Sequence, residues 1–599
     1  MFTWQPTELT PEQTAAVLHP ESVFLVACPG SGKTRTLTYK IAYELSMIQS
    51  RRKFVIAITY TNRAADEIKE RVESLGIRTE QLWIGTIHSF CLEWIVKPYH
   101  IYEESIASGF RIIDSHEKEK LLESLCKPYQ KDKITHYDCD YYVNDNGYHL
   151  ICPDNKKHAF IHEILREYFN QLAMQKQIDF ELLLWSARSL CKENPEINLT
   201  LSLLFSVILV DEYQDTKKIQ YGILAGILKA GNGNTRLFMV GDPNQAIFGS
   251  LGGYPILLPE LINITNLSIK NFALTENFRS SENIIKYFNN YNLYKTNIVA
   301  AGKDRSYPSI ICYDDLIHRD SLVHEIIKII RFNIDILNIK PDEICVVAPQ
   351  WVHLASMTRQ LVVNMPEQSF DGPGMVPFAR DIENYWYKVS KLALTLPSPE
   401  NYVRRLRWAA EIIKDFNDIG IYLPKLSSRE LLRLCNSIQP IEQDGLNFLK
   451  RFFIELLDHL GIELIFFKQL NEHFDAFFDS STSRIERLEK EGITGIRDIN
   501  FFRKVFQNRT GITVSTIHGV KGAEFDVVIS YALLEGMVPH FNDPDGSDSA
   551  KKLLYVIGSR ARKNLYLFSE TGRSRGRYNM YTPTEVLNSC VFFYSQKPI

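Results

Sequence analysis

No CxxC pair occurs among the ten cysteines, so neither a zinc ribbon nor a redox couple is written into the chain, and their scatter excludes a disulfide-stapled scaffold. Charge of one sign is not in excess either. The 68 Lys and Arg against 71 Asp and Glu leave a formal net charge of −3, which excludes a broadly basic surface as the means of holding an acidic partner, though not a cationic groove within an acidic exterior. Long apolar runs are missing: the longest, roughly Leu199 to Val210, ends in Asp211 and is too short to span a bilayer. The opening MFTWQPTELT has no charged region followed by an apolar one, so no secretory signal is read there and a cytoplasmic location is expected. Cys126, Cys139 and Cys152 fall near His136, His149 and His158 at spacings that match no common metal pattern, so buried thiols beside surface histidines are expected.

What is present is 599 residues, 45% hydrophobic and 23% charged, an ordinary globular composition long enough for roughly three to five compact units. The short apolar run Val23–Val26 reads as a strand buried on both faces of a parallel sheet. Directly after it comes Ala27-Cys28-Pro29-Gly30-Ser31-Gly32-Lys33-Thr34. Gly30, Ser31 and Gly32 let backbone N–H groups approach a phosphate, the following helix presents its positive end, Lys33 reaches the β/γ-phosphates, and Thr34 offers a hydroxyl to Mg²⁺. Ala27 stands where the pattern has glycine. A second apolar strand, Ser206–Val210, ends in Asp211-Glu212-Tyr213-Gln214-Asp215-Thr216. Carboxylates at the C-terminal end of a parallel strand sit where ligands bind in open α/β sheets: Asp211 to hold Mg²⁺ and Glu212 to act as general base on an attacking water. Together the two motifs predict an NTPase.

The string DEYQDT resembles motif II of the superfamily 1A helicases, the UvrD/Rep/PcrA family, and the chain then follows that family's order from Leu9 to Arg562. Leu9-Thr10-Pro11-Glu12-Gln13 is similar to the Q motif, which implies that Gln13 reads the adenine edge, and Arg35 matches an arginine lying against the adenine face. Residues 59–65 (TYTNRAA) resemble motif Ia and residues 85–90 (GTIHSF) the GTFHSF motif. The resemblance implies a single-stranded DNA groove there, lined by Tyr60, Asn62, Thr86 and His88, with Tyr60 as a stacking face. Asp179-Phe180 is similar to the start of the DFxDLL element. Residues 240–249 (VGDPNQAIFG) resemble motif III, which implies that Gln245 senses the γ-phosphate and that Phe248 lies near the strand. Residues 274–280 (LTENFRS) resemble motif IV, which implies that Phe278 stacks on adenine and Arg279 stabilises charge on the transferred phosphoryl group. Residues 514–526 resemble motif V, with Glu524 implied near the nucleotide sugar and Thr516 and His518 near the DNA backbone. Residues 554–562 resemble motif VI, with Arg560 implied as a second arginine finger.

Three departures stand out. The family's motif III tryptophan and arginine are replaced by Ser250 and Leu251, followed by Gly252-Gly253, so a base-stacking contact of roughly 1–3 kcal/mol is lost there unless another aromatic supplies it. The segments between Cys91 and Phe205 and between about Phe378 and Asn508 occupy the places of the family's 1B and 2B insertions. The first is rich in tyrosine and lysine, including Tyr129, Tyr137, Tyr141 and Tyr142, which predicts a wet polar surface. The second reads as helices over 402–416, 428–437 and 445–460 from apolar spacings of three and four. Its Arg404, Arg405 and Arg407 beside Trp408 read either as a solvated helix face or as contacts to duplex DNA. A short tail after motif VI carries Arg573, Arg575 and Arg577 in a Gly/Ser context, either phosphate contacts or a solubilised loop.

The expected architecture is α/β: two RecA-like doubly wound parallel-sheet cores, 1A (residues 1–90 and 206–282) and 2A (283–380 and 509–599), with two mainly helical insertions, 1B (91–205) and 2B (381–508). Its cofactors are ATP and Mg²⁺, and its substrates single-stranded DNA and a 3′-tailed duplex. The expected function is ATP-driven translocation and 3′→5′ unwinding in DNA repair, recombination or phage defence, the polarity implied by the family alone. The alternative is a regulatory subunit that senses ATP and DNA ends and activates a partner nuclease, since the chain also resembles the helicase component of Gabija-type antiphage systems.

Overall fold

The computed structural model describes residues 2–113, 115–372, 376–378, 381, 384–399, 401–490, 495–506, 511–541, 543, 545–575 and 579–597. They form two compact units: Met1–Cys312 with Leu534–Leu565 and Tyr581–Ser595, and Tyr313–Leu533 with Tyr566–Met580 and Gln596–Ile599.

The first unit is built on six parallel strands: β1 (Ser22–Ala27), β2 (Phe54–Thr59), β3 (Leu82–Thr86), β4 (Phe205–Asp211), β5 (Arg236–Gly241) and β6 (Ile269–Leu274), in the order β6-β1-β5-β4-β2-β3. The central strands β1, β2, β4 and β5 are buried nearly throughout, as their unbroken Val/Ile/Leu/Phe runs require. β1 has neighbours on both sides that come from far later in the chain, so the loop after it opens at the sheet's topological switch point.

Between β3 and β4 the chain adds helices His158–Met174, Phe180–Glu193 and Pro195–Leu204, and an antiparallel hairpin, Tyr141–Asn144 with Gly147–Leu150. Asp179 anchors this region. Its side chain caps the helix that starts at Phe180 through the N–H of Leu182 and accepts bonds from the hydroxyls of Tyr141 (2.8 Å) and Tyr168 (3.0 Å). Lys118 Nζ lies 3.1 Å from it, so this buried carboxylate is paired and hydrogen-bonded at once. Tyr141 is therefore core rather than wet surface. The expected tyrosine-rich polar face does not extend to it, because the aspartate supplies the acceptor its hydroxyl needs inside.

A second six-stranded sheet comprises β7 (Ile311–Asp314), β8 (Ile344–Ala348), β9 (Phe370–Asp371), β10 (Ile512–Thr516), β11 (Phe525–Ser530) and β12 (Ala561–Phe568), in the order β7-β12-β11-β8-β10-β9. β8 pairs in parallel with β10 and β11, and β9 with β10. Helices Tyr385–Leu394, Tyr402–Asp418, Ser428–Ser437, Gly445–Leu460 and Lys468–Lys490 pack round Trp386, Leu449, Phe453 and Phe477. Ser427 and Glu430 form a reciprocal cap at the start of Ser428–Ser437. Arg405, Arg407 and Trp408 are buried, so the solvated-face reading fails for them: 405, 409, 412 and 416 lie on the helix's inner stripe, and Arg405 follows it inward. Among the described residues no helix is long and apolar enough to cross a membrane.

Candidate nucleotide site and nucleic-acid face

The loop after β1 turns sharply into the helix Lys33–Met47. Gly30 and Gly32 have φ of 68° and 81°, and a Cβ at Gly30 would stand 2.6 Å from the Cβ of Arg279, so both conformation and crowding require glycine. The Ser31 hydroxyl donates to the Cys28 carbonyl, and burial pushes the Cys28 thiol up to about 12, which keeps it a neutral, inert part of the loop. Gln13, capped into its helix by Thr10, is buried; its Nε2 donates to the Ser31 carbonyl at 2.8 Å and its Oε1 accepts from the Thr10 N–H at 3.0 Å. Gln13 thus braces the loop from behind. Lys33 and Thr34 are half-buried and Arg35 is exposed; the helix's leading N–H groups have no partner within the helix and face the loop's mouth.

β4 delivers Asp211 and Glu212. Glu212 sits at φ 49°, ψ 49°, a left-handed conformation uncommon for a non-glycine residue and costing about 1–3 kcal/mol. Gln214 Nε2 donates to its carboxylate, while Gln214 Oε1 accepts from the Asp242 N–H. Burial first, then the neighbouring Glu212 charge, pushes Asp211 up to about 7, with Lys33 opposing. The Asp211 carboxylate and the Thr34 hydroxyl are both hard oxygen donors, of the kind that suits a divalent cation of the Mg²⁺ type.

β5 ends in a network. Asp242, fully buried and pushed up chiefly by burial, accepts from the Asn244 N–H, from Gln245 Nε2 at 2.8 Å and from the Tyr555 hydroxyl at 3.3 Å. The other end of the Gln245 amide, Oε1, accepts from Arg560 Nη2 at 2.6 Å. Arg560 ends the helix Gly546–Arg560, where a cation is favoured, and is itself buried. After β6, Asn277 Nδ2 donates to the Pro29 carbonyl, the Phe278 N–H to the Gly30 carbonyl, and Arg279 Nη1 to the Ser559 carbonyl at 2.9 Å. Lys33, Thr34, Asp211, Glu212, Gln245, Arg279 and Arg560 therefore all belong to the first unit. Phe278 presents an exposed ring beside the loop.

The same unit carries the candidate strand-facing residues. Tyr60 is 44% exposed and its ring stacks on Phe248, centroids 5.0 Å apart. Asn62 opens a helix capped by Thr61. Thr86 caps the next turn by accepting from the Ser89 N–H, and its hydroxyl pairs with that of Ser89. His88 sits edge-on to Phe180, and burial lowers its pKa to about 4, so it is neutral at physiological pH. Ser250 and Leu251 are exposed. Tyr142 was read from the sequence only as part of a wet polar face: its ring stacks on His149 at 5.4 Å and lies against Gly252, where an added Cβ would come within 3.1 Å of it. The glycine pair after Leu251 was the available signal.

Thr516, His518 and Glu524 lie in the second unit. The Thr516 hydroxyl accepts from the Gly519 N–H at 3.0 Å, shaping a turn on which His518 is exposed. Arg573 is not a free tail residue: it pairs with buried Glu570 and meets His353 Nδ1 at 3.0 Å. Arg577 and the Arg575 side chain lie outside the described residues. Cys126 and Cys139 are buried, their sulfurs 3.7 Å apart, with His136 between Glu119 and Glu123.

A glycine-rich loop after β1, a carboxylate pair at the end of β4 and two arginines in the same α/β unit fit the class of NTP-driven motors. The UvrD/REP helicase N-terminal domain model matches residues 9–261 and the UvrD-like helicase C-terminal domain model residues 496–571. The chain is similar to ATP-dependent DNA helicase PcrA of Staphylococcus aureus (strain Mu50 / ATCC 700699), 26% identical over 94% of this chain and 83% of the relative. It is likewise similar to the protein of that name from Staphylococcus epidermidis (strain ATCC 35984 / DSM 28319 / BCRC 17069 / CCUG 31568 / BM 3577 / RP62A), 25% identical over 95% and 84%. The chain belongs to the UvrD/Rep family of superfamily 1A, ATP-hydrolysing DNA helicases with RecA-like cores.

Proposed function

We propose that this chain translocates 3′→5′ along single-stranded DNA and separates 3′-tailed duplexes, in DNA repair, recombination or phage defence. The observation that carries this is the Gln245 amide, which joins buried Asp242 beside the phosphate loop to Arg560. One side chain that links the end of β5 to a second arginine is a means of reporting nucleotide state to the neighbouring strand-facing loop. In this reading Lys33 and the N–H groups of Gly30, Ser31, Gly32 and Thr34 hold the β/γ-phosphates, and Glu212 takes the proton of the attacking water. Arg279 and Arg560 stabilise charge as it moves to the leaving oxygens. Thr34 and Asp211 would hold Mg²⁺, which when bound neutralises phosphate charge. Gln13, Arg35 and Phe278 frame the base, and Glu524 the sugar. Tyr60, Asn62, Thr86, His88, Phe248, Thr516 and His518 meet the strand. The chain divides in this reading into 1A (1–90, 206–282), 1B (91–205), 2A (283–380, 509–599) and 2B (381–508). Polarity rests on the family resemblance.

The test compares ATP hydrolysis with and without single-stranded DNA, and unwinding of 3′- against 5′-tailed duplexes, for wild type and Lys33→Ala. DNA-stimulated hydrolysis with unwinding of the 3′-tailed duplex, both abolished by Lys33→Ala, is expected. Exposed Ser250 and Leu251 in motif III favour a second reading, a subunit that senses ATP and DNA ends and activates a partner nuclease. Stimulated hydrolysis without strand separation would select it.

A further inference from the structure

The second unit contains a cavity of about 130 Å³ that the helicase reading leaves unused, lined among others by Ser398, Tyr402, Arg405, Arg429, Arg433 and Asn436. Three of these are arginines, and no acidic side chain lines it among the described residues. Arg429, Arg433 and Asn436 come from one face of the helix Ser428–Ser437, four and three residues apart. Arg405 comes from the facing helix Tyr402–Asp418, whose N-terminal turn also borders the cavity.

Arg405 is the unusual member. It is 4% exposed, its Nη2 donates to the Leu392 carbonyl (3.2 Å) and to Asn436 Oδ1 (2.8 Å), and its buried Nε has no hydrogen bond. Both acceptors are neutral, and no carboxylate pairs with it among the described residues. A guanidinium buried without a counter-charge is costly to keep, and the fold retains one at the wall of a cavity with two more arginines at its rim. Planar, multiply donating guanidinium groups match phosphate oxygens. The volume is well under the ~300 Å³ where sites for whole drug-sized ligands begin, so it suits a phosphoryl group and leaves the rest of the ligand outside, beside the exposed Tyr402 ring. A phosphate within a strand carries one charge and is tethered on both sides. A terminal phosphate carries nearly two charges at neutral pH and a single tether, and can enter a recess.

We propose that this cavity binds a terminal phosphate, with Arg405 as the buried anchor and Arg429 and Arg433 closing over it. The phosphate belongs either to a free phosphorylated small molecule or to the phosphorylated end of a DNA strand.

The test is calorimetric titration of the full chain with inorganic pyrophosphate, in a Lys33→Ala background that weakens the phosphate loop's own hold. Adding Arg429→Ala/Arg433→Ala, at two exposed positions, is expected to weaken binding about tenfold or more, as loss of a charge-assisted hydrogen bond does. Arg405→Met should do the same, and the rim pair keeps the test readable if that variant fails to fold. In a second arm, identical single strands with a 5′-phosphate or a 5′-hydroxyl are compared. A phosphate-dependent gain that disappears in Arg429→Ala/Arg433→Ala supports the proposal with the strand end as source; equal binding of both strands, with pyrophosphate still sensitive to the rim pair, supports it with a free ligand. Pyrophosphate binding that is absent, or unchanged by the rim substitutions, overturns it.

Discussion

At Asp211 folding and chemistry pull in opposite directions. Burial and the Glu212 charge raise its pKa to about 7 in the nucleotide-free protein, against about 3.9 in an unfolded chain. Between those values the native state binds the extra proton, so this group makes stability fall as pH rises from about 4 to about 7. Asp211→Asn, which removes the charge and keeps the shape, is expected to raise the Tm of the nucleotide-free protein at pH 8 while abolishing hydrolysis, and the gain should vanish near pH 4. A scanning calorimetry series over that range checks it; a lower Tm at pH 8 would show that the charge is compensated inside the protein. Arg560 poses a different question, because it is buried and bonded to Gln245. Arg560→Lys keeps a cation but loses the fork that holds Gln245 Oε1. Steady-state kinetics should show kcat for ATP lower by about 10²–10³-fold, as for loss of an oriented donor, with KM little changed.

Among elements, the region between β3 and β4 depends on one carboxylate. Asp179 joins the hairpin through Tyr141, the helix His158–Met174 through Tyr168, and Lys118, while capping its own helix. Asp179→Ala leaves a cation and two buried hydroxyls without their acceptor, and is expected to cost about 3–5 kcal/mol in denaturant unfolding. Asp179→Asn should recover part of that by keeping the cap. This network also marks where sequence reading stops. The strands at 22–27 and 205–211 and the helices at 428–437 and 445–460 were legible because local periodicity and long-range burial agree there. The hairpin at 141–150 was not: its short, polar strands carry no apolar alternation, and its fixed point is an aspartate over thirty residues away. The P-loop residues and the carboxylate pair could be read from chemistry alone. Arg279 and Arg560 could not, since a lone arginine has no local signature and only the family's order singled them out. Arg405 was read with Arg404 and Arg407 as a solvated helix face or a contact to duplex DNA, although its place on the apolar stripe with Ala409 and Ile412 pointed inward.

For the whole molecule, the absence of excess positive charge becomes a statement about how DNA is held. The net charge is −3, and the residues proposed to meet the strand, Tyr60, Asn62, Thr86, His88, Phe248, Thr516 and His518, include no Lys or Arg. His88 adds no charge at neutral pH, since burial holds its pKa at about 4. Such a set binds by stacking and neutral hydrogen bonds, each stacked base contributing roughly 1–3 kcal/mol, and releases few counterions. Single-strand affinity measured from 50 to 300 mM salt should therefore fall with a log–log slope shallower than about −3, since each neutralised phosphate contributes about −0.7. Phe248→Ala, which removes the partner of the Tyr60 ring, should lower affinity at every salt concentration without changing that slope. A slope of about −5 or steeper would mean that a cationic groove outside these residues carries the binding. The stacked pair would then guide the strand rather than hold it, and Phe248→Ala would leave affinity nearly intact while reducing the DNA stimulation of hydrolysis.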